Sequence, residues 1–222
     1  MAEGLNNDRS QFVLMHTASM DWQASPSRGV WRKRLELDGE SETSRVTSIV
    51  RYEPGSHFPP HAHPGGEEIL VLDGVFSDEH GDFPAGSFLL NPEGFAHAPF
   101  SVEGCTIFVK LRQYPGAGRS RVVIDGRNPP WRAGTGPGTE FLPLYHDTGH
   151  PETIDLARLA SGAMLPAEIC RAGAEILILE GELTDPDNRY GKGDWLRFPP
   201  GAVLRLAGAP GALFYLKRGH LS

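Results

Sequence analysis

The feature that most constrains this chain is that it is written twice. Gly55-x5-His61-x-His63, followed by Glu67-Glu68-Ile69-Leu70-Val71-Leu72-Asp73-Gly74, aligns with Gly162-x5-Glu168-x-Cys170 and Ala174-Glu175-Ile176-Leu177-Ile178-Leu179-Glu180-Gly181 at an offset of 107 residues. The same offset carries Gly86 onto Gly193, Pro92 onto Pro199, Gly94 onto Gly201 and Phe108-Val109-Lys110 onto Tyr215-Leu216-Lys217. A repeat that keeps register this long fixes the architecture before any element is assigned. It predicts two copies of one domain, over roughly 25–115 and 135–222, joined by a Gly/Pro/Arg-rich linker at 116–134 and preceded by a leader or edge strand at 1–24.

Each copy reads as short strands. Segments 46–52, 67–72 and 106–111 are rich in β-branched and apolar residues and are bounded by, or lie close to, glycine or proline. The 27 glycines and 19 prolines supply many tight turns without reaching low-complexity levels. Apolar residues run continuously over 69–72, which predicts a strand covered on both faces. Segment 151–160 resembles a turn of helix, but it aligns with 44–52 and is expected to be strand. Barrels remove exposed sheet edges, so the fold class expected is all-β with two tandem barrels.

In the first copy, His61 and His63 are two residues apart and so point to one face of a strand. After the turn Pro64-Gly65-Gly66, Glu67 shares the parity of Ile69 and Val71 while Glu68 points the other way, and the count to Gly74 favours Glu67 as the inward residue. His97 follows a second turn, Asn91-Pro92-Glu93-Gly94, where the chain re-enters the barrel. Three imidazoles and a carboxylate suit zinc, iron, manganese, nickel or copper, and disfavour calcium and magnesium, which prefer oxygen shells. In the second copy these positions are Glu168, Cys170, Ala174 and Leu204, two of which have no donor atom, so that barrel is expected to hold no metal. The alternative there is a site from Glu168, Cys170 and Glu175.

Other function classes are disfavoured. The net charge of −7 comes without a Lys/Arg stripe, so counterion release gives no drive toward nucleic acid. No apolar stretch has signal-peptide or membrane-spanning form, which predicts a cytoplasmic protein without membrane partners. Cys105 and Cys170 allow at most one disulfide and are expected to be reduced, with Cys105 a small buried residue. Lys110 and Lys217 read as edge lysines, His57 as an exposed loop residue and His80 as turn polarity. His16, His146, His150 and His220 read as lacking ligand-like partners, and the tryptophans as packing.

Gly55-x5-His61-x-His63-x3-Glu67-x6-Gly74 and Gly86-x5-Pro92-x-Gly94-x2-His97 resemble the two motifs of the cupin superfamily, with every ligand position filled. More narrowly, residues 66–79 and 103–111 resemble the cupin domain of ChrR-type anti-sigma factors. The resemblance implies two tandem cupin (double-stranded β-helix, jelly-roll) barrels. It also implies one divalent ion per chain on His61, His63, Glu67 and His97, with zinc first and iron, manganese or nickel as alternatives. The function expected is a regulatory, stress-sensing module in transcription regulation, acting through a protein partner. The His-x3-Cys-x2-Cys motif of that family's sigma-binding helical domain is not found here, so the module is read without it. The second reading is a non-haem metal-dependent dioxygenase acting on a small diketone- or hydroxyketone-like molecule in the first barrel. Apolar strands covered on both faces predict a homodimer.

Overall fold

A computed structural model describes residues 4–39, 43–116 and 118–221. Among them the only helical element is one 3-10 turn, Thr17–Ser19, and all else regular is strand. Among the described residues no helix is long and apolar enough to cross a membrane. The chain forms two compact units: Met20–Pro129 with the residues up to Asn7, and Pro130–Ser222 with Asp8–Ser19.

The first unit is built on one antiparallel sheet. Its strands run Val122–Ile124, Phe88–Asn91, Glu67–Asp78, Cys105–Leu111, Arg45–Tyr52, Val30–Asp38 and Gln23–Ala24 in spatial order. A separate ribbon pairs His61–Ala62 with Ala96–His97. The second unit repeats the order as Val13–His16, Asp194–Phe198, Ala174–Thr184, Ala207–Arg218, Thr153–Leu159, Thr139–His146 and Arg132–Ala133, with the ribbon Glu168–Cys170 against Ala202–Leu204. Segment 151–160 holds the strand Thr153–Leu159, as its alignment predicts.

Two features of the connectivity are not visible at the 107-residue offset. Where the sequence reads a linker, the chain holds the strands Val122–Ile124 and Arg132–Ala133. Pairing also shows that Phe141 stands opposite Ala157 as Arg32 stands opposite Val50, so the leading part of the repeat is offset by 109. On that offset Val13–His16 is the counterpart of Val122–Ile124. The leading strand of the first repeat thus pairs with Asp194–Phe198 in the second unit, and that of the second repeat with Phe88–Asn91 in the first.

The first unit's core follows the parity of its strands. Ile69, Val71, Ile107 and Val109 are buried with Phe76, Phe83 and Leu89, and Tyr52 and Val30 close the cluster. Burial of each such aliphatic side chain contributes roughly 1.5–3 kcal/mol. The strand Glu67–Asp78 is also buried on its other face at Glu68 and Leu70, which accounts for its unbroken apolar run. Lys110 corrects the edge reading. It is fully buried in a central strand, pairs in register with Glu68, and donates from Nζ to Thr47 Oγ1 at 2.9 Å. Lys217, paired with Glu175, repeats the placement. A buried ammonium persists only with charged or hydrogen-bonding partners, and cross-strand glutamates are placed to provide them.

Candidate metal centre

Two short hairpin-like returns bring the site together. His61 and His97 stand opposite each other in the ribbon, and His63 continues one side of it. Between His63 and Glu67 the chain reverses through Gly66, whose φ of 74° and whose missing Cβ, which would stand 2.9 Å from Tyr114 Cβ, both demand glycine. That turn sets Glu67 on the inner face and Glu68 on the outer, where Glu68 accepts a hydrogen bond from Tyr114 Oη.

The ligand atoms of His61, His63 and His97 all lie within 4.8 Å of one another. His63 Nε2 and His97 Nε2 are 3.0 Å apart, and Glu67 Oε2 lies 3.5 Å from the first and 3.4 Å from the second. His63, His97 and Glu67 are buried, and His61 is half-buried. The structure thus brings the four sequence-predicted residues together.

Hydrogen bonds behind the cluster decide which atoms face it. His97 Nδ1 is 3.0 Å from Asp78 Oδ2, and His61 Nδ1 is 2.8 Å from the carbonyl of Pro59. A nitrogen against an acceptor carries the proton, so Nε2 of both rings presents a lone pair inward. Asn91 Nδ2 donates to Glu67 Oε2 at 3.0 Å, and Arg121 Nε donates to Asn91 Oδ1 at 3.1 Å with its Nη2 3.9 Å from Asp78. Arg121 therefore supports both arms of the cluster. His63 Nε2, His97 Nε2 and Glu67 Oε2 converge within 3.0–3.5 Å of one another, close enough to share one cation. The donor set fits a borderline divalent ion.

Burial shapes the titration of these groups. Desolvation, opposed by the Glu67 charge, holds His63 below the ordinary histidine value and keeps it neutral. For His97 burial acts downward, but the Asp78 hydrogen bond and the Glu67 charge outweigh it and raise the value. Asp78 is lowered, its own burial being overcome by hydrogen bonds from His97 and the His80 amide. Tyr52 is raised well above the usual phenol range by burial and then by Glu67, so its hydroxyl stays protonated.

A cavity of about 290 Å³ opens on the cluster, lined by His61, His63 and Glu67. Val46, Val50, Ile107, Val109 and Leu111 form its apolar wall, and Arg32, Tyr52 and Arg112 add polar groups. Sequence reasoning missed Asp78, Asn91, Arg121 and the two cavity arginines. Of these, Asp78 and Asn91 sit beside turns that the sequence marks, and the arginines carry no local signal.

In the second unit the ligand positions hold a different arrangement. Glu168 accepts from Arg218 Nη1 at 2.8 Å, and Arg218 Nη2 lies 2.6 Å from Asp155, which also contacts His146 at 2.9 Å. Cys170 is buried, and Glu175 accepts from Trp195 and lies 3.1 Å from His220. The three-residue alternative of Glu168, Cys170 and Glu175 thus has its carboxylates turned to other partners. His16 rests 2.8 Å from Asp194, so three histidines read as unpartnered, His16, His146 and His220, stand against buried carboxylates.

The family model described as ChrR Cupin-like domain matches the chain over residues 10–115 and again over 119–222. No curated protein matches the sequence. A solved structure from Nostoc punctiforme, described as a candidate dioxygenase, is 17% identical with a TM-score of 0.79, over 96% of this chain and 85% of its own. The pirin YhhW of Escherichia coli, solved with nickel(II), is 12% identical with a TM-score of 0.70, over 94% and 98% of the two chains. Oxalate decarboxylase of Lactobacillus farciminis, solved with formate, is 11% identical with a TM-score of 0.66, over 94% and 86%. At these identities the likeness concerns the fold.

Proposed function

Starting from the fact that this chain belongs to the ChrR cupin-like family in both of its halves, we propose that its first barrel is a divalent-metal centre that acts on a small organic molecule as a non-haem dioxygenase. The observation that supports this reading is the cavity of about 290 Å³ whose wall includes His61, His63 and Glu67, because a metal used only to hold the fold needs no adjoining chamber. His61, His63, Glu67 and His97 would hold the ion. A redox-active ion held there would mediate electron transfer from the substrate, which is what is oxidised, to dioxygen.

The chain's own contributions are positional. The apolar wall excludes water and takes the carbon body of a diketone- or hydroxyketone-like substrate. Tyr52, protonated at neutral pH, offers a hydroxyl donor to a substrate oxygen. Asp78 and Asn91 keep His97 and Glu67 aimed inward.

A zinc-based regulatory site is the second reading, and the fourth donor favours it: Glu67, at 3.5 and 3.4 Å from two histidines, would close a tetrahedral zinc with no position left for oxygen. One experiment tests both. Metal analysis of protein purified without added metal is combined with oxygen uptake on β-diketones and hydroxyacetophenones. Uptake with iron or another redox metal that vanishes in His97→Ala supports the enzyme; stoichiometric zinc with no uptake after iron reconstitution supports the regulator. We also expect a homodimer, which light scattering over a wide concentration range checks.

A further inference from the structure

We propose, resting on the reading that the first barrel takes a small organic molecule beside a divalent ion, that Tyr52 and Ser48 select this molecule: each hydroxyl bonds one of two oxygens carried at opposite ends of an apolar body. Strand Arg45–Tyr52 alternates, and Val46, Ser48, Val50 and Tyr52 are the residues it turns toward the cavity. From Ser48 onward that face presents a hydroxyl, an isopropyl group and a second hydroxyl. The molecule complementary to it is polar, apolar and polar in the same order.

Both hydroxyls are enclosed and unpaired. Tyr52 is 5% exposed and Ser48 3%. Ser48 Oγ is buried without a hydrogen-bond partner, and no described residue hydrogen-bonds the Tyr52 hydroxyl. Thr47, on the opposite face of the strand, instead accepts from Lys110 Nζ at 2.9 Å and Gln113 Nε2 at 3.1 Å. A buried hydroxyl left unpaired is destabilising, and two of them in one chamber call for a partner with matching oxygens.

The Tyr52 ring is fixed close to the cluster. It packs edge-on against Phe58 and Phe76 at centroid distances of 5.8 and 6.0 Å, and those rings contact His61 at 5.7 Å and His97 at 6.1 Å respectively. Tyr52 is thus one ring removed from two of the four cluster residues, and the oxygen it binds is the one presented on their side.

The second repeat serves as an internal control. Ser48 stands opposite Val109 as Asp155 stands opposite Leu216, and Tyr52 opposite Cys105 as Leu159 opposite Ala212. Asp155 is engaged by Arg218 and His146, and Leu159 belongs to the core. The two unpaired hydroxyls therefore occur in the repeat that has the three-histidine cluster, and both are replaced in the other.

The experiment measures binding of 1,4-benzenedimethanol, 4-methylbenzyl alcohol and p-xylene, alike in shape and carrying two, one and no hydroxyls, by calorimetry on the full chain loaded with cobalt(II). Cobalt absorption reports whether a histidine-ligated ion is present and oxygen uptake reports the reaction, so failure of the wider reading shows itself apart from the binding comparison. Each added hydroxyl should tighten binding by about threefold or more. Tyr52→Phe and Ser48→Ala should each bring the diol to within roughly twofold of the mono-alcohol, and the double variant should bind all three alike. Because neither hydroxyl has a protein partner, both single variants should unfold in urea at the parent's midpoint or above it, whereas loss of a structural hydroxyl would lower it. The inference is overturned by binding of none of the three, by equal binding of all three to the parent, or by a lowered midpoint in either variant. A diol preference that survives in either variant, as it would if that hydroxyl held water only, overturns it too.

Discussion

His97 and Asp78 form a buried pair, Nδ1 to Oδ2 at 3.0 Å, in which the carboxylate has no solvent exposure and the imidazole is turned so that only Nε2 can reach the cluster. Asp78 Oδ1 at the same time accepts the His80 amide at 2.7 Å, so the residue that shapes a hairpin also sets a tautomer. Replacing Asp78 by Asn preserves the turn contact but lets the ring choose the wrong nitrogen. Metal affinity, measured by competition with a chelator of known strength, should fall by about 10–100-fold with the fold retained.

One ion per chain is the expected stoichiometry. His63→Ala should bring occupancy, counted by mass spectrometry, far below that of the parent protein, and Cys170→Ser should leave it unchanged. Two ions per chain, with one lost on the Cys170 substitution, would show that the second barrel binds as well.

The cysteines give a test of redox sensing. Burial pushes both thiols up to about 11, for Cys105 and for Cys170 alike. The thiolate is the reactive form, and a shift of this size from the ordinary thiol leaves about two orders of magnitude less of it at neutral pH. Alkylation by iodoacetamide at pH 7.5, followed by mass spectrometry, should be at least that much slower in the native protein than after unfolding. Fast native modification of Cys105 would restore a thiol-based sensor.

Arg218 should matter to stability and not to metal. Its guanidinium joins Asp155 and Glu168, and Asp155 is almost fully buried. Removing one member of a buried pair leaves an uncompensated charge, and with Arg218 partly exposed the loss for Arg218→Met is expected at about 3 kcal/mol, read from urea unfolding. Metal occupancy should be unaffected.

The pairing of Asp185 with Tyr190 gives a pH expectation. Burial alone would raise the Asp185 carboxyl, but the Tyr190 hydroxyl and the amides of Asp187 and Asn188 lower it. A value lowered by folding means stability that is present above the unfolded carboxyl range, near pH 4, and lost as pH falls through the folded value. Asp185→Asn should therefore be less stable than the parent at neutral pH, with the gap narrowing in acid.

The four cluster residues are legible because each sits at a fixed spacing from a turn glycine or proline, and the count to Gly74 chooses Glu67 over Glu68. What surrounds them is not. Asp78 and Asn91 act across strands, and Arg121 lies in a stretch whose composition reads as linker, so no local pattern ties them to a histidine. Lys110 was misread because a lysine in an apolar strand looks like an edge until its cross-strand Glu68 is known. The extent of the repeat was hidden by one turn: the second copy has two fewer residues between its first two long strands, which breaks the 107-residue register just where the leading strands begin.

Those leading strands bear on the protein's history. Each repeat gives its first strand to the other's sheet, so neither is complete from its own segment. Reciprocal exchange of this kind is what two identical single-repeat chains adopt when they associate, and a gene duplicated and fused in that state keeps the exchange within one polypeptide. From then on the partners could diverge while bound to each other. The first repeat carries His61, His63, Glu67 and His97 where the second carries Glu168, Cys170, Ala174 and Leu204, so the exchanged strands join two copies whose inner faces differ in chemistry.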